Sequence, residues 1–186
     1  MRFQSDQKIL LHYKAKPDVK HFIPNAVTSL RLIALPHIVY SFNHEITLAV
    51  YALFLFSIGT DLIDGYVAKK LESTSKAGAY LDVTVDFLFI SGMYLSFISK
   101  GFYSPWILFI IAFVFVQFIL TNLYAKKTVY DPIGKYYGSL LFGGIGLTLL
   151  FSEPLVYTIV TIGIVVVSTL SIFSRLIFFV NGSEQS

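Results

Sequence analysis

Residues 61–86 read DLIDGYVAKKLESTSKAGAYLDVTVD and set four aspartates, Asp61, Asp64, Asp82 and Asp86, inside two of the most apolar runs of the chain. A solitary carboxylate in such surroundings is costly and is seldom kept without a task. Helical spacing groups the residues. Asp61, Asp64, Gly65 and Ala68 fall at i, i+3, i+4 and i+7 on one helix face, and Gly78, Asp82 and Asp86 fall at i, i+4 and i+8 on the next. The polar piece between them, KKLESTSK, reads as a turn. In an antiparallel pair, Asp64 and Asp82 each lie about six residues from that turn, roughly 9 Å, and Asp61 and Asp86 about nine or ten, roughly 14 Å. The two pairs therefore meet at matching depths. Four converging negative charges in low dielectric require protonation or cations. Oxygen ligands without His or Cys nearby favour Mg²⁺, Mn²⁺ or Ca²⁺ over zinc.

The rest of the chain supplies a membrane around this stretch. It has 186 residues, 55% hydrophobic, 17% aromatic and only 13% charged, with a mean hydropathy of +0.71. That composition predicts an all-α integral membrane protein, a bundle of about six transmembrane helices, with no soluble domain. The absence of cysteine excludes disulfides, thiol catalysis and zinc-thiolate sites. A net charge of +3 is too small and too scattered for a nucleic-acid partner. The polar N-terminus, with the first long apolar run starting after residue 22, does not read as a cleavable signal peptide.

Three segments follow in order. Residues 1–21 mix apolar side chains with Lys8, Lys14, Lys16 and Lys20, as a short amphipathic juxtamembrane helix would, or equally a frayed tail. Residues 22–180 hold the six spans, and 181–186 form a polar C-terminal tail. The first span contains Pro24 and Pro36 and ends at Asn43, His44 and Glu45; the others run from about Glu45 to Lys70, Lys76 to Ser99, Pro105 to Tyr124, through GSLLFGGIG, and from Pro154 to about Val180. Gln117 and Asn122 read as interhelical hydrogen-bonders, and the glycines of the fifth span, with Gly134 and Gly138 spaced as small-xxx-small, as close packing. With alternating spans, nearly all lysines fall on the side of the N-terminus, and Lys100 falls opposite. Both termini and the aspartate turn are then cytoplasmic, in a multi-pass protein of the cell membrane.

The aspartate stretch resembles the CDP-alcohol phosphatidyltransferase family, whose pattern is D-x2-D-G-x2-A-R-x8-G-x3-D-x3-D. Asp61, Asp64, Gly65, Ala68, Gly78, Asp82 and Asp86 occupy its places at the right spacing, and Lys69 stands where the family has Arg. The resemblance implies transfer of a phosphatidyl group from a CDP-linked lipid such as CDP-diacylglycerol to an alcohol, with release of CMP in phospholipid biosynthesis. It also implies a two-metal site of Mg²⁺ or Mn²⁺ on Asp61, Asp64, Asp82 and Asp86, with Asp86 serving in addition as general base. Gly65, Ala68, Lys69 and Gly78 then lie against the CDP-lipid; Lys69 keeps the positive charge but not the planar fork of Arg.

The segment IPN-x2-T-x2-R, carrying Asn25, Thr28 and Arg31, resembles the opening of the phosphatidylglycerophosphate synthase branch and joins the same CDP-lipid site. A plainer reading has Asn25 and Thr28 capping the helix and Arg31 snorkelling. Lys135, in GKYYGS, resembles the acceptor-phosphate segment of that branch, with Tyr137 replacing its second Lys. Arg175 either completes that pocket or snorkels at the end of its helix. Glycerol 3-phosphate is the expected acceptor; inositol phosphate, phosphatidylglycerol or an archaeal ether-lipid donor are alternatives within the family, and the resemblance suggests a homodimer.

Two other classes compete. Intramembrane aspartate pairs also mark cation or proton transporters, but the chain shows neither inverted repeats nor broken-helix signals around them. A catalytically dead scaffold is disfavoured because all four aspartates are present.

Overall fold

The computed structural model describes the backbone of residues 19–70, 76–125 and 134–183, and the side chains of 29–60, 78, 80–122 and 136–177. Among the described residues six helices follow in order: α1 Val19–Asn43, α2 Thr47–Lys70, α3 Lys76–Ser99, α4 Trp106–Ala125, α5 Gly134–Leu150 and α6 Pro154–Ser183. No strand occurs among the described residues. The amphipathic helix expected before residue 19, the polar turn at 71–75 and the loop at 126–133 lie outside them.

Helix boundaries differ from the sequence expectation by a few residues, for local reasons. α1 begins at Val19 and runs unbroken through Pro24 and Pro36. α2 begins at Thr47 instead of Glu45, because Glu45 has φ +60°, a left-handed conformation that closes the turn and cannot belong to a right-handed helix. α3 ends as expected at Ser99. Gly101 follows with φ +79°, and its N–H donates to the Ile98 carbonyl at 2.9 Å while that of Phe102 donates to Phe97 at 3.0 Å. Glycine suits this stop because it lacks the Cβ that penalises positive φ. α6 starts with Pro154 at its first position, where the missing N–H costs nothing. It continues to Ser183, into the segment read as a polar tail.

α1 packs on α2 and α3, while α6 packs on α4 and α5; α3 touches α4 and α5 and so joins the two groups. The centre is closed by Ile38, Phe89, Met93, Phe97, Ile107 and Ile145, all fully buried. Few polar bonds cross this interior. Tyr103 and the Thr148 hydroxyl share a hydrogen bond of 2.5 Å, and Tyr137 and Ser168 one of 2.8 Å. In an apolar solvent such contacts hold helices together where hydrophobic burial does not.

Large apolar side chains also cover the outside: Leu48 is 82% exposed, Phe109 76% and Leu155 70%. Water would penalise such faces and a bilayer would not, so the exposed helices match lipid as solvent. Among the described residues, Tyr80–Ser99 and Pro154–Ile177 are long and apolar enough to cross a membrane; Thr47–Thr60, Trp106–Asn122 and Tyr136–Leu150 are shorter apolar helices.

Three turns gather at one end of the bundle. Lys100, after α3, reaches Glu45 Oε1 at 3.4 Å and the Asn43 carbonyl at 3.5 Å, between α1 and α2. Phe102 stacks on Tyr157, in the first turn of α6, with ring centroids 4.7 Å apart. The aspartate-bearing ends of α2 and α3 therefore lie at the opposite end.

Candidate active site

α3 carries Asp82 and Asp86 one helical turn apart, so both fall on the same face, while Val85 and Phe89 turn into the core. Both aspartates line a cavity of about 590 Å³ bounded by α2 to α6. Its polar residues include Tyr137 and Ser139 on α5 and Ser171 and Arg175 on α6. The other end is apolar, with Phe54 from α2, Ile90 from α3, Ile111 from α4 and Gly146 from α5. Gly138 and Gly143 also line it, and a Cβ at either would meet nothing within 4 Å. The close packing expected of the α5 glycines is found instead at Gly144 and Gly146, where a Cβ would come 2.7 Å from the Tyr94 hydroxyl and 3.2 Å from the Phe54 ring.

The two arginines of the sequence reading are both buried, which rules out snorkelling. Arg31 on α1 is 0% exposed; its Nη1 donates to Asp86 Oδ1 and lies 3.9 Å from Asp82 Oδ1. Arg175 is 2% exposed, donates through Nη1 to Thr121 Oγ1 at 2.8 Å, and sits 4.5 Å from the centre of the Phe118 ring. Packing on that ring and the bond to Thr121 hold its planar group at the cavity wall.

Among the sequence-predicted residues, the structure thus joins Arg31, Asp82 and Asp86 in one cluster and sets Arg175 on the same cavity as the two aspartates. Gly78 lies near the start of α3. Asp61, Asp64, Gly65, Ala68 and Lys69 fall on the last turns of α2, where the unbroken helix keeps their register. Asn25 and Thr28 fall on α1, and Lys135 on the first turn of α5. The side chains of these eight lie outside the described residues.

Thr121 and Phe118 were not singled out from the sequence. The available signal was weak, a polar Gln117–Thr121 pair at i, i+4 in an otherwise apolar helix. Gln117, expected to bridge helices, buries its Oε1 without a hydrogen-bond partner among the described residues. Tyr137, which stands where the acceptor segment of the family branch has its second Lys, shares a hydrogen bond with the Ser168 hydroxyl.

The donors present suit a hard cation. A guanidinium nitrogen already lies against both carboxylates, and the donors beside it are carboxylate oxygens. Among the described residues no three His, Cys, Asp or Glu side chains come together; the other two aspartates of the pattern belong to α2, whose backbone alone is described there.

A sequence model described as CDP-alcohol phosphatidyltransferase matches residues 21–176. The chain belongs to the CDP-alcohol phosphatidyltransferase family. It is a membrane enzyme of that transferase class.

Among its relatives is a CDP-diacylglycerol–glycerol-3-phosphate 3-phosphatidyltransferase of Aquifex aeolicus, 31% identical over 130 residues, 69% of this chain and 73% of that one. A Pseudomonas fluorescens protein of the same name is 33% identical over 75 residues, 37% of each chain. A Schizosaccharomyces pombe cardiolipin synthase (CMP-forming)/mitochondrial hydrolase fusion protein is 41% identical over 64 residues, 34% of this phosphatidyltransferase but 11% of the fusion.

Proposed function

We propose that this phosphatidyltransferase uses CDP-diacylglycerol as donor and glycerol 3-phosphate as acceptor, releasing CMP. The observation that carries the reading is the cavity that Asp82 and Asp86 share with the buried Arg175. Carboxylates suited to hard cations, beside a fixed guanidinium, form a receptor for phosphate oxygens. The printed names of the Aquifex and Pseudomonas relatives support the acceptor.

In this reading Asp61, Asp64, Asp82 and Asp86 hold Mg²⁺ or Mn²⁺. Two such ions, when bound, neutralise the diphosphate and the charge on departing CMP. Asp86 takes the proton of the acceptor hydroxyl as its oxygen bonds to the β-phosphorus. The bond from that phosphorus to the bridging oxygen breaks, and its electron pair leaves with CMP. Gly65, Ala68 and Gly78 leave room for the nucleotide, and Lys69, Asn25, Thr28 and Arg31 bind the CDP-lipid. Lys135 and Arg175 receive the acceptor phosphate.

The reading includes six spans, both termini and the site on the cytoplasmic side, and a homodimer. One observation favours a second acceptor. The end of the cavity away from the aspartates is apolar, which suits a lipid acceptor such as phosphatidylglycerol as well, and one relative's printed name includes cardiolipin synthase (CMP-forming).

The test is CMP release by the purified chain in detergent with CDP-diacylglycerol, Mg²⁺ or Mn²⁺, and a panel of glycerol 3-phosphate, inositol phosphate and phosphatidylglycerol. Release that depends on glycerol 3-phosphate and stops with chelator is expected. Release with phosphatidylglycerol alone would replace the first acceptor by the second, and no release with any acceptor would overturn the reading.

A further inference from the structure

We infer that Arg31 is a resident counter-ion that competes with divalent cations for Asp82 and Asp86. The inference rests on the reading of those two aspartates as metal ligands. A guanidinium stays charged at any accessible pH, so a fully buried one is tolerated only where carboxylates receive it. Arg31 has no exposed surface, and its Nη1 donates to Asp86 Oδ1 and stands 3.9 Å from Asp82 Oδ1. One nitrogen thus faces both members of the acidic pair, across from α1 to α3.

A hard divalent ion needs those same carboxylate oxygens at about 2.0–2.6 Å. The two cations cannot share the oxygens without like-charge repulsion in a poorly screened site. With Arg31 in place, the pair offers an arriving ion one net negative charge instead of two. The arginine therefore halves the charge of the acidic pair and ties α1 to α3 when no ion is bound. It must withdraw from the carboxylates, or weaken its hold on them, when one enters. Nothing in this exchange needs a change of protonation.

The experiment measures Mn²⁺ binding to the detergent-solubilised full chain from the loss of the free-ion electron paramagnetic resonance signal, without nucleotide or lipid substrate. It compares wild type, Arg31→Gln and Arg31→Lys. Removing the competing charge is expected to tighten Mn²⁺ binding about tenfold in Arg31→Gln. Arg31→Lys, which keeps the positive charge on a shorter-reaching single ammonium, should tighten it less. Thermal unfolding supplies a second readout: Mn²⁺ should raise the Tm of Arg31→Gln by more than it raises that of wild type. Unchanged or weaker Mn²⁺ binding in both variants would overturn the inference. If Arg31→Gln does not fold, Arg31→Lys decides by the same criterion. Failure of the underlying reading looks different: wild type would bind no Mn²⁺, or Asp82→Asn would bind it as wild type does.

Discussion

Asp86 is the side chain at which the proposed chemistry can be separated from metal binding. Asn preserves its volume and one acceptor oxygen but cannot take a proton. At a position that only binds metal, the substitution weakens affinity, and raising the ion concentration compensates. Asp61→Asn and Asp82→Asn are therefore expected to recover CMP release as Mg²⁺ or Mn²⁺ is raised. Asp86→Asn should stay inactive at every concentration while still binding the CDP-lipid, and equal rescue of all three would reduce Asp86 to one ligand among four. The acceptor side has its own test. Arg175 is fixed by Thr121 and Phe118 at the cavity wall, and in its proposed role Arg175→Gln removes a charge-assisted contact to the acceptor alone. Its acceptor KM should rise roughly tenfold or more, and likewise that of Lys135→Ala, with little change in the donor KM. Equal effects on both substrates would place these residues elsewhere.

Among the helices, α5 is the element on which small residues matter for two different reasons. Its Gly144 faces α3 and α6: an added Cβ would come 2.7 Å from the Tyr94 hydroxyl and 3.0 Å from Val160 Cγ1. Tyr94 is fully buried among other aromatics and has no room to retreat. Gly144→Ala should therefore cost about 1–3 kcal/mol, read as a lower Tm in detergent. Gly163 on α6, where a Cβ meets nothing within 4 Å, supplies the contrast. Gly163→Ala should leave Tm unchanged or raise it, because alanine loses less backbone entropy in a helix. Sequence periodicity gave the helices and their ends within a few residues, since apolar runs, Pro154 and Gly101 act locally. It gave the register of Asp82 with Asp86 for the same reason. It did not give the pairing of Arg31 with Asp86, separated by 55 residues, because a pattern within one helix does not say which neighbour its face meets. The cavity was hidden likewise, being a property of five helices and of the glycines that do not pack.

At the scale of the whole molecule, structure and charge supply two halves of one topological argument. The turns after α1, α3 and α5 meet at one end, tied by Lys100 to Glu45 and by Phe102 on Tyr157. That geometry fixes which ends share a side without saying which side faces the cytoplasm. The proposed orientation rests on the basic residues: in sequence, those of 2–20, 69–76 and 126–135 flank the helix ends opposite these turns, and in the turns themselves Lys100 is the one Lys or Arg. An excess of Lys and Arg in short loops marks the cytoplasmic side. In the proposed orientation the aspartates, near the lysine-rich end, face the pool from which a soluble, phosphorylated acceptor would come. Because the chain has no cysteine, a single introduced thiol reports its own side without background. Glu45→Cys, Ser104→Cys and Glu153→Cys, each made alone, should react in intact cells with a maleimide that does not cross membranes. Thr74→Cys, between the aspartate-bearing helices, should react only after the cells are opened. Labelling of Thr74→Cys in intact cells with protection of Ser104→Cys would invert the orientation and put the acidic site on the outer face.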